Sequence, residues 1–240
     1  MMNLTGKIAV VFGGNGDVGS NLIKKLFLNK IDSVYTSFHT NFNNILELKK
    51  IYGDKLSFNQ VDIRDPVAIQ KFIENIQQVD IGINCVGIVD DHSVSKLSFE
   101  SWNRVIETNL TGTFNTSKYL FEKMKSVKQG RIINISSIVA FQGAFGQSNY
   151  AASKSGILGL TKTLAIEGAK YNILVNCVVP GYITSKMIEN IPKPVLNNII
   201  QKIPLKKLGV LDDISNAILF LSSDYSNYIT GQTINVSGGL

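Results

Sequence analysis

Short, nearly uninterrupted apolar runs recur along the chain, and a longer amphipathic stretch separates each from the next. The runs Lys7–Phe12, Ser33–Phe38, Lys55–Gln60, Asp80–Asn84, Arg131–Ser136, Leu174–Val178 and Thr233–Val236 read as strands. Helical spacing predicts helices over Val18–Leu28, Asn43–Ile51, Pro66–Ile76, Phe99–Met124 and Tyr150–Glu167, with two more between Pro194 and Ser223. A strand that is apolar on both faces must be covered on both faces, which a parallel sheet between two helix layers achieves. Right-handed crossovers then wind such a sheet in both directions from its middle. The expectation is one α/β domain over residues 1–240, a doubly wound parallel sheet of about seven strands.

Composition agrees and excludes several classes. Hydrophobic residues make up 44% and charged residues 18%, enough apolar surface for a core and too much for a disordered chain. The net charge of +6 comes from lysines scattered along the chain, and the arginines are Arg64, Arg104 and Arg131. A nucleic-acid partner calls for a basic stripe interleaved with aromatics, which is missing. Cys85 and Cys177 each sit within an apolar run, as buried free thiols of a reducing compartment do, and with His39 and His92 as the only histidines no metal site is expected. No run reaches the roughly 18–20 apolar residues that span a bilayer. The opening MMNLTGKIAVVFGG has no basic-apolar-small leader pattern, so the expected location is cytoplasmic, with no membrane partner.

The first predicted strand runs directly into Gly13-Gly14-Asn15-Gly16-Asp17-Val18-Gly19 and then a helix. Glycines at such a junction let the backbone turn tightly and approach a pyrophosphate, whose charge meets the free N–H groups of the helix start. That makes the sheet Rossmann-type and Gly13, Asn15, Gly16, Asp17, Val18 and Gly19 candidate cofactor contacts. An acid for the ribose 2′-hydroxyl is due about 20 residues later. The stretch Val34–Thr40 has none, and Asp32 precedes the strand core. Ser37 and His39 are available to donate to a 2′-phosphate instead, although no arginine is nearby to clamp it. NADP(H) is therefore favoured over NAD(H).

Tyr150-Ala151-Ala152-Ser153-Lys154 opens a strongly helical segment. A spacing of four puts phenol and ammonium on one helix face, where the cation favours the phenolate and makes the tyrosine usable in proton transfer. Ser137 ends the preceding strand, at the edge where ligand crevices form in parallel sheets.

Together these pieces resemble the short-chain dehydrogenase/reductase family over essentially the whole chain. The resemblance rests on Gly13–Gly19, Val61-Asp62, Asn84-Cys85-Val86-Gly87, Asn109, Ser137, Tyr150/Lys154 and Pro180-Gly181. GRIINISS, NYAASKSGILGLTK and YITGQTINVSGG are most similar to the 3-oxoacyl-(acyl-carrier-protein) reductase branch. The resemblance implies Tyr150 as general acid, Ser137 orienting the carbonyl, Lys154 lowering the Tyr150 pKa and binding the nicotinamide ribose, and Asn109 anchoring a proton-relay water. It also implies Asp62 and Ile63 at the adenine, Asn84 and Gly87 along the cofactor, and Ile183 and Ser185, after Pro180-Gly181, at the carboxamide. The implied activity is NADPH-dependent reduction of a 3-oxoacyl thioester. Residues 185–207 would form a substrate lid, Lys128 and Lys170 would face an acyl carrier protein, and the long helices would pair in a homodimer or homotetramer.

Two departures stand out: Phe12 replaces the threonine that usually ties down the glycine loop, and Asp17 takes a glycine's place. They leave open a ketoreductase or alcohol dehydrogenase of secondary metabolism, acting on a polyketide, sugar or other alcohol, and a scaffold impaired in cofactor use.

Overall fold

The structure, a computed structural model, describes residues 2–185 and 192–240. Its strands are β1 (Ile8–Phe12), β2 (Ser33–Phe38), β3 (Leu56–Gln60), β4 (Ile81–Asn84), β5 (Gly130–Ile135), β6 (Ile173–Pro180) and β7 (Thr233–Val236). They form one seven-stranded parallel sheet in the order β3-β2-β1-β4-β5-β6-β7. The order reverses between β1 and β4, the place where open α/β sheets leave a crevice beyond their carboxyl ends.

The helices are α1 (Asp17–Leu28), α2 (Asn43–Tyr52), α3 (Pro66–Glu74), α4 (Phe99–Ile106), α5 (Gly112–Val127), α6 (Val139–Gln142), α7 (Ser148–Ala169), α8 (Lys193–Lys202) and α9 (Leu211–Ser222). Alternate residues of each strand feed opposite faces, as the pleat requires. Ala9 and Val11 join Leu22, Leu26, Ile214 and Ile218 in the core beneath α1 and α9. Val10 and Phe12 join Ile69, Phe72, Leu120 and Leu164 beneath α3, α5 and α7. This is the expected two-sided burial of apolar strands.

Three local differences from the sequence reading bear on the site. The predicted helix Phe99–Met124 is broken by one π-helical turn, Glu107–Thr111, between α4 and α5. Strand β6 continues through Pro180, which pairs with Val236 of the edge strand β7. A short helix, α6, follows β5 where only a loop was expected. Of the expected lid over 185–207, Lys186–Ile191 lie outside the described residues, and the remainder contains α8. Among the described residues no helix is long and apolar enough to cross a membrane, and no cluster of three or more metal-ligating side chains occurs.

Candidate active site

The glycine loop closes onto both neighbours. A Cβ on Gly14 would stand 2.0 Å from Thr36 Oγ1, and one on Gly19 would stand 2.3 Å from the Gly13 carbonyl oxygen. Only glycine permits β2 and α1 to approach that closely. The loop hangs from β2: Gly13 N–H donates to Ser37 Oγ at 3.3 Å, and Gly14 N–H donates to the Ser37 carbonyl at 3.2 Å. Asn15 reaches sideways, its Oδ1 accepting from Asn44 N at 3.0 Å and Ile45 N at 3.4 Å. It thereby caps α2, whose own N-cap residue Phe42 supplies no side-chain acceptor. Asp17 is the half-buried first residue of α1, where a carboxylate suits the helix dipole. Val18 packs toward the α1 core, away from the cleft.

Beyond the loop lies a cleft of about 390 Å³ lined by Gly13, Asn15, Gly16, Ser37, His39, Asp62, Ile63, Arg64 and Gly87 among others. Asp62 accepts from Arg64 Nε at 3.0 Å and Nη2 at 2.6 Å. That guanidinium holds its carboxyl below the usual carboxylate range. Arg64 stands on the same cleft as Ser37 and His39, where no arginine was expected. The signal lay in the strand order, because β2 and β3 pair in parallel and bring the residues after each strand together.

Asn84 does not line the cleft. It is buried, and its Nδ2 donates to Ser117 Oγ at 3.0 Å and Asn134 Oδ1 at 2.8 Å, leaving its own Oδ1 without a partner. Pro180, Gly181, Ile183 and Ser185 leave the end of β6 outside this cleft's lining. Gly181 lies against Ser237, and Ile183 bridges to Gly209.

At the inner end the four expected catalytic side chains converge. Lys154 is 3% exposed, and its Nζ donates to the Ile135 carbonyl at 3.0 Å. Ser136 Oγ donates to the Lys154 carbonyl at 2.7 Å, so the last residue of β5 and the one after it hold Lys154 by both its side chain and its backbone. Burial pulls the Lys154 ammonium down to about 8. Its Nζ sits 5.7 Å from the centre of the Tyr150 ring. A Cβ on Gly87, which lines the cleft, would lie 3.1 Å from Lys154 Nζ and 3.8 Å from Asn109 Oδ1, so the cleft meets these two side chains at Gly87.

The pKa balance at Tyr150 differs from the expected one. Burial raises its phenol above the ordinary value, a hydrogen bond with Ser137 works against that, and the Asp91 charge adds to the rise. Desolvation of the phenolate thus outweighs stabilisation by its neighbours. Asn109 sits in the π-helical turn, an irregularity that recurs at functional sites. Its side chain accepts from Ile88 N at 2.8 Å and donates to the Ile88 carbonyl at 2.9 Å and to Ser153 Oγ at 3.1 Å. It therefore clamps the loop after β4 to α7. The same loop is tied to the segment before α7 by His92 N donating to the Gly146 carbonyl at 2.8 Å and Gln147 Nε2 to Asp91 at 2.8 Å. His92 itself is exposed.

A family model described as enoyl-(acyl carrier protein) reductase matches residues 29–240. The acetoacetyl-CoA reductase of an Acinetobacter species is 37% identical, over 98% of this chain and 97% of its own. The 3-oxoacyl-[acyl-carrier-protein] reductases FabG of Rickettsia conorii and Escherichia coli are each 36% identical, over 100% of this chain and 99% of theirs.

The chain belongs to the short-chain dehydrogenase/reductase family.

As a member of this family it is an NAD(P)-dependent oxidoreductase acting on CH–OH groups. The residues present fit a dinucleotide. The glycine loop offers close backbone approach, the cleft runs from Arg64 to Gly87, and Lys154 lies buried at its inner end. Phe12 takes no part in tying the loop. It is fully buried, edge-on to Phe72 at 5.8 Å, and Ser37 does the tying from the next strand.

Proposed function

We propose that the protein is an NADPH-dependent ketoreductase that reduces a 3-oxoacyl thioester, carried on acyl carrier protein or CoA, to the 3-hydroxyacyl form. The observation that carries the reading is the Ser137–Tyr150 hydroxyl pair set beside a buried Lys154. Two hydroxyl groups on one side of a cleft suit a carbonyl oxygen that gains charge, as a ketone oxygen does when its carbon takes up a hydride. Full-length relatives whose names specify 3-oxoacyl and acetoacetyl thioesters support the substrate class.

In this reading each residue has its part in the chemistry. Gly13, Asn15, Gly16 and Asp17, with Val18 and Gly19 behind them, form the pyrophosphate end. Ser37, His39, Asp62 and Ile63 form the adenosine end. Gly87, Lys154, Pro180, Gly181, Ile183 and Ser185 form the nicotinamide end, with Asn84 bracing the strand beneath. When bound, NADPH supplies the hydride. Ser137 holds the carbonyl oxygen, and Tyr150 gives it a proton as general acid. A phenol whose pKa is raised by burial keeps its proton at neutral pH, as a donor must. Asn109 keeps the loop after β4 and Ser153 in register with Tyr150.

The protein is cytoplasmic and assembles as a homodimer or homotetramer through α4, α5 and α7. Phe99 at 87% exposure and Ile166 at 79% support such a covered face. Lys128 and Lys170 are the residues to dock an acyl carrier protein.

The test mixes the protein, NADPH and acetoacetyl-CoA and follows the loss of NADPH absorbance, with crotonyl-CoA as the control. Turnover of the ketone alone, abolished by Tyr150→Phe, is the expected result. Turnover of the enoyl thioester alone, or of neither, would falsify the reading.

A further inference from the structure

The loops that follow β2 and β3 meet at the outer end of the cleft. Val61 N–H donates to the Phe38 carbonyl at 2.9 Å, and Gln60 Nε2 donates to the His39 carbonyl at 2.8 Å. These bonds fix His39 beside the turn Asp62–Asp65, which Asp65 N closes on the Asp62 carbonyl at 3.0 Å. Two basic side chains then converge on one oxygen: Arg64 Nη2 lies 2.6 Å and His39 Nε2 lies 3.6 Å from Asp62 Oδ2. Arg64 uses only one edge of its fork on Asp62, since Nε and Nη2 donate there while Nη1 donates to nothing among the described residues. The side chains are 42% exposed at Arg64 and 59% at His39, and both residues line the cleft. The charges facing Arg64 are Asp62 and Glu107. No carboxylate stands at the end of β2, where a ribose 2′-hydroxyl would need one.

We infer that Arg64 is the residue that selects a 2′-phosphorylated adenosine, its guanidinium clamping the ribose 2′-phosphate with His39 alongside. The inference rests on the NADP(H) reading and names the residue behind it. A phosphate dianion brings more charge and more acceptor oxygens than the single carboxylate of Asp62. The planar fork can keep Nε on Asp62 while its amino groups turn to the phosphate. His39 supplies a second donor from the facing loop. Asp62 thus holds the guanidinium at the cleft mouth in advance.

Calorimetry on the full chain decides the matter, using NADP⁺, NAD⁺, 2′,5′-ADP and 5′-AMP against wild type, Arg64→Ala and Arg64→Lys, with melting curves to confirm folding. Wild type should bind NADP⁺ more tightly than NAD⁺, and 2′,5′-ADP more tightly than 5′-AMP. Arg64→Ala should weaken the two 2′-phosphorylated ligands by about 10–100-fold, the worth of a charge-assisted hydrogen bond pair, and change NAD⁺ and 5′-AMP by less than about threefold. Arg64→Lys should fall between, because a point charge replaces a fork. Wild-type discrimination should shrink as salt is raised. A preference for NADP⁺ that survives intact in Arg64→Ala overturns this inference and leaves the cofactor reading standing. Equal weakening of all four ligands also overturns it, showing that Arg64 merely shapes the Asp62 turn. A wild type with no preference for the 2′-phosphate removes the cofactor reading and the inference together.

Discussion

Gly13 N–H donates to the hydroxyl of Ser37 at 3.3 Å, and Ser37 itself is 1% exposed. The glycine loop is therefore suspended from the second strand, although it is covalently the end of the first. Ser37→Ala removes the acceptor and leaves the Gly13 amide short of a partner at a half-buried site. The expected cost is about 1–2 kcal/mol, a fall of roughly 2–8 °C in melting temperature for a chain of this size. Cofactor affinity should fall as well, because the loop loses one of its two anchors. Melting curves with and without NADPH measure both effects. An unchanged midpoint together with an unchanged NADPH-induced rise would show that the bond is idle.

Asn15 links the same loop to α2 by capping Asn44 and Ile45. Asn15→Ala should cost about 1 kcal/mol, the usual worth of an N-cap, and should act on α2 rather than α1. Hydrogen exchange of the Asn44 and Ile45 amides should speed up, while amides of the α1 interior keep their protection. Equal acceleration in both helices would mean that Asn15 stabilises the fold generally and has no capping role.

The sheet was legible in the sequence because a strand such as Ile8–Phe12 is buried on both faces and carries an unbroken apolar run. The grouping of Tyr150, Lys154 and Ser137 was legible too, since the first two lie one helical turn apart and the third follows the strand that α7 packs against. What stayed hidden depends on neighbours distant in the chain. Arg64 belongs beside His39 only because β3 lies next to β2. The π-helical turn at Asn109 leaves no mark, since the apolar spacing runs through it from Phe99 to Met124. Asn84 ends a strand, as expected, but which face its amide takes depends on Ser117 and Asn134 across the sheet.

Cys85 and Cys177 flank Lys154, and burial pushes both thiols up to about 12. At pH 8 roughly one molecule in ten thousand then carries either thiolate, the form that reacts. The folded protein should resist a disulfide reagent such as DTNB for hours, and denatured protein should take up two equivalents at once. Rapid labelling of native Cys85, which lines the cleft, would show that access and not thiolate content governs its reactivity.

Lys154 makes the stability of the fold depend on pH in a recognisable direction. Burial lowers its folded pKa to about 8 from an ordinary 10.5. Below pH 8 both the folded and the unfolded chain carry the charge, so the desolvation penalty is present in full. Between 8 and 10.5 the unfolded chain binds a proton that the folded chain has released, and stability rises with pH on that account. The two thiols pull the other way above about 9, because the unfolded chain loses their protons first. They are common to wild type and Lys154→Met, so the difference between the two proteins isolates the amine. Urea melts of both should show a gap that is constant below pH 8 and moves steadily in favour of wild type from there to 10.5. The lost hydrogen bond to Ile135 adds only a constant offset. A gap that stays flat across the whole range would mean that Lys154 titrates as it does in water, and that the interior around Tyr150 is wetter than its packing implies.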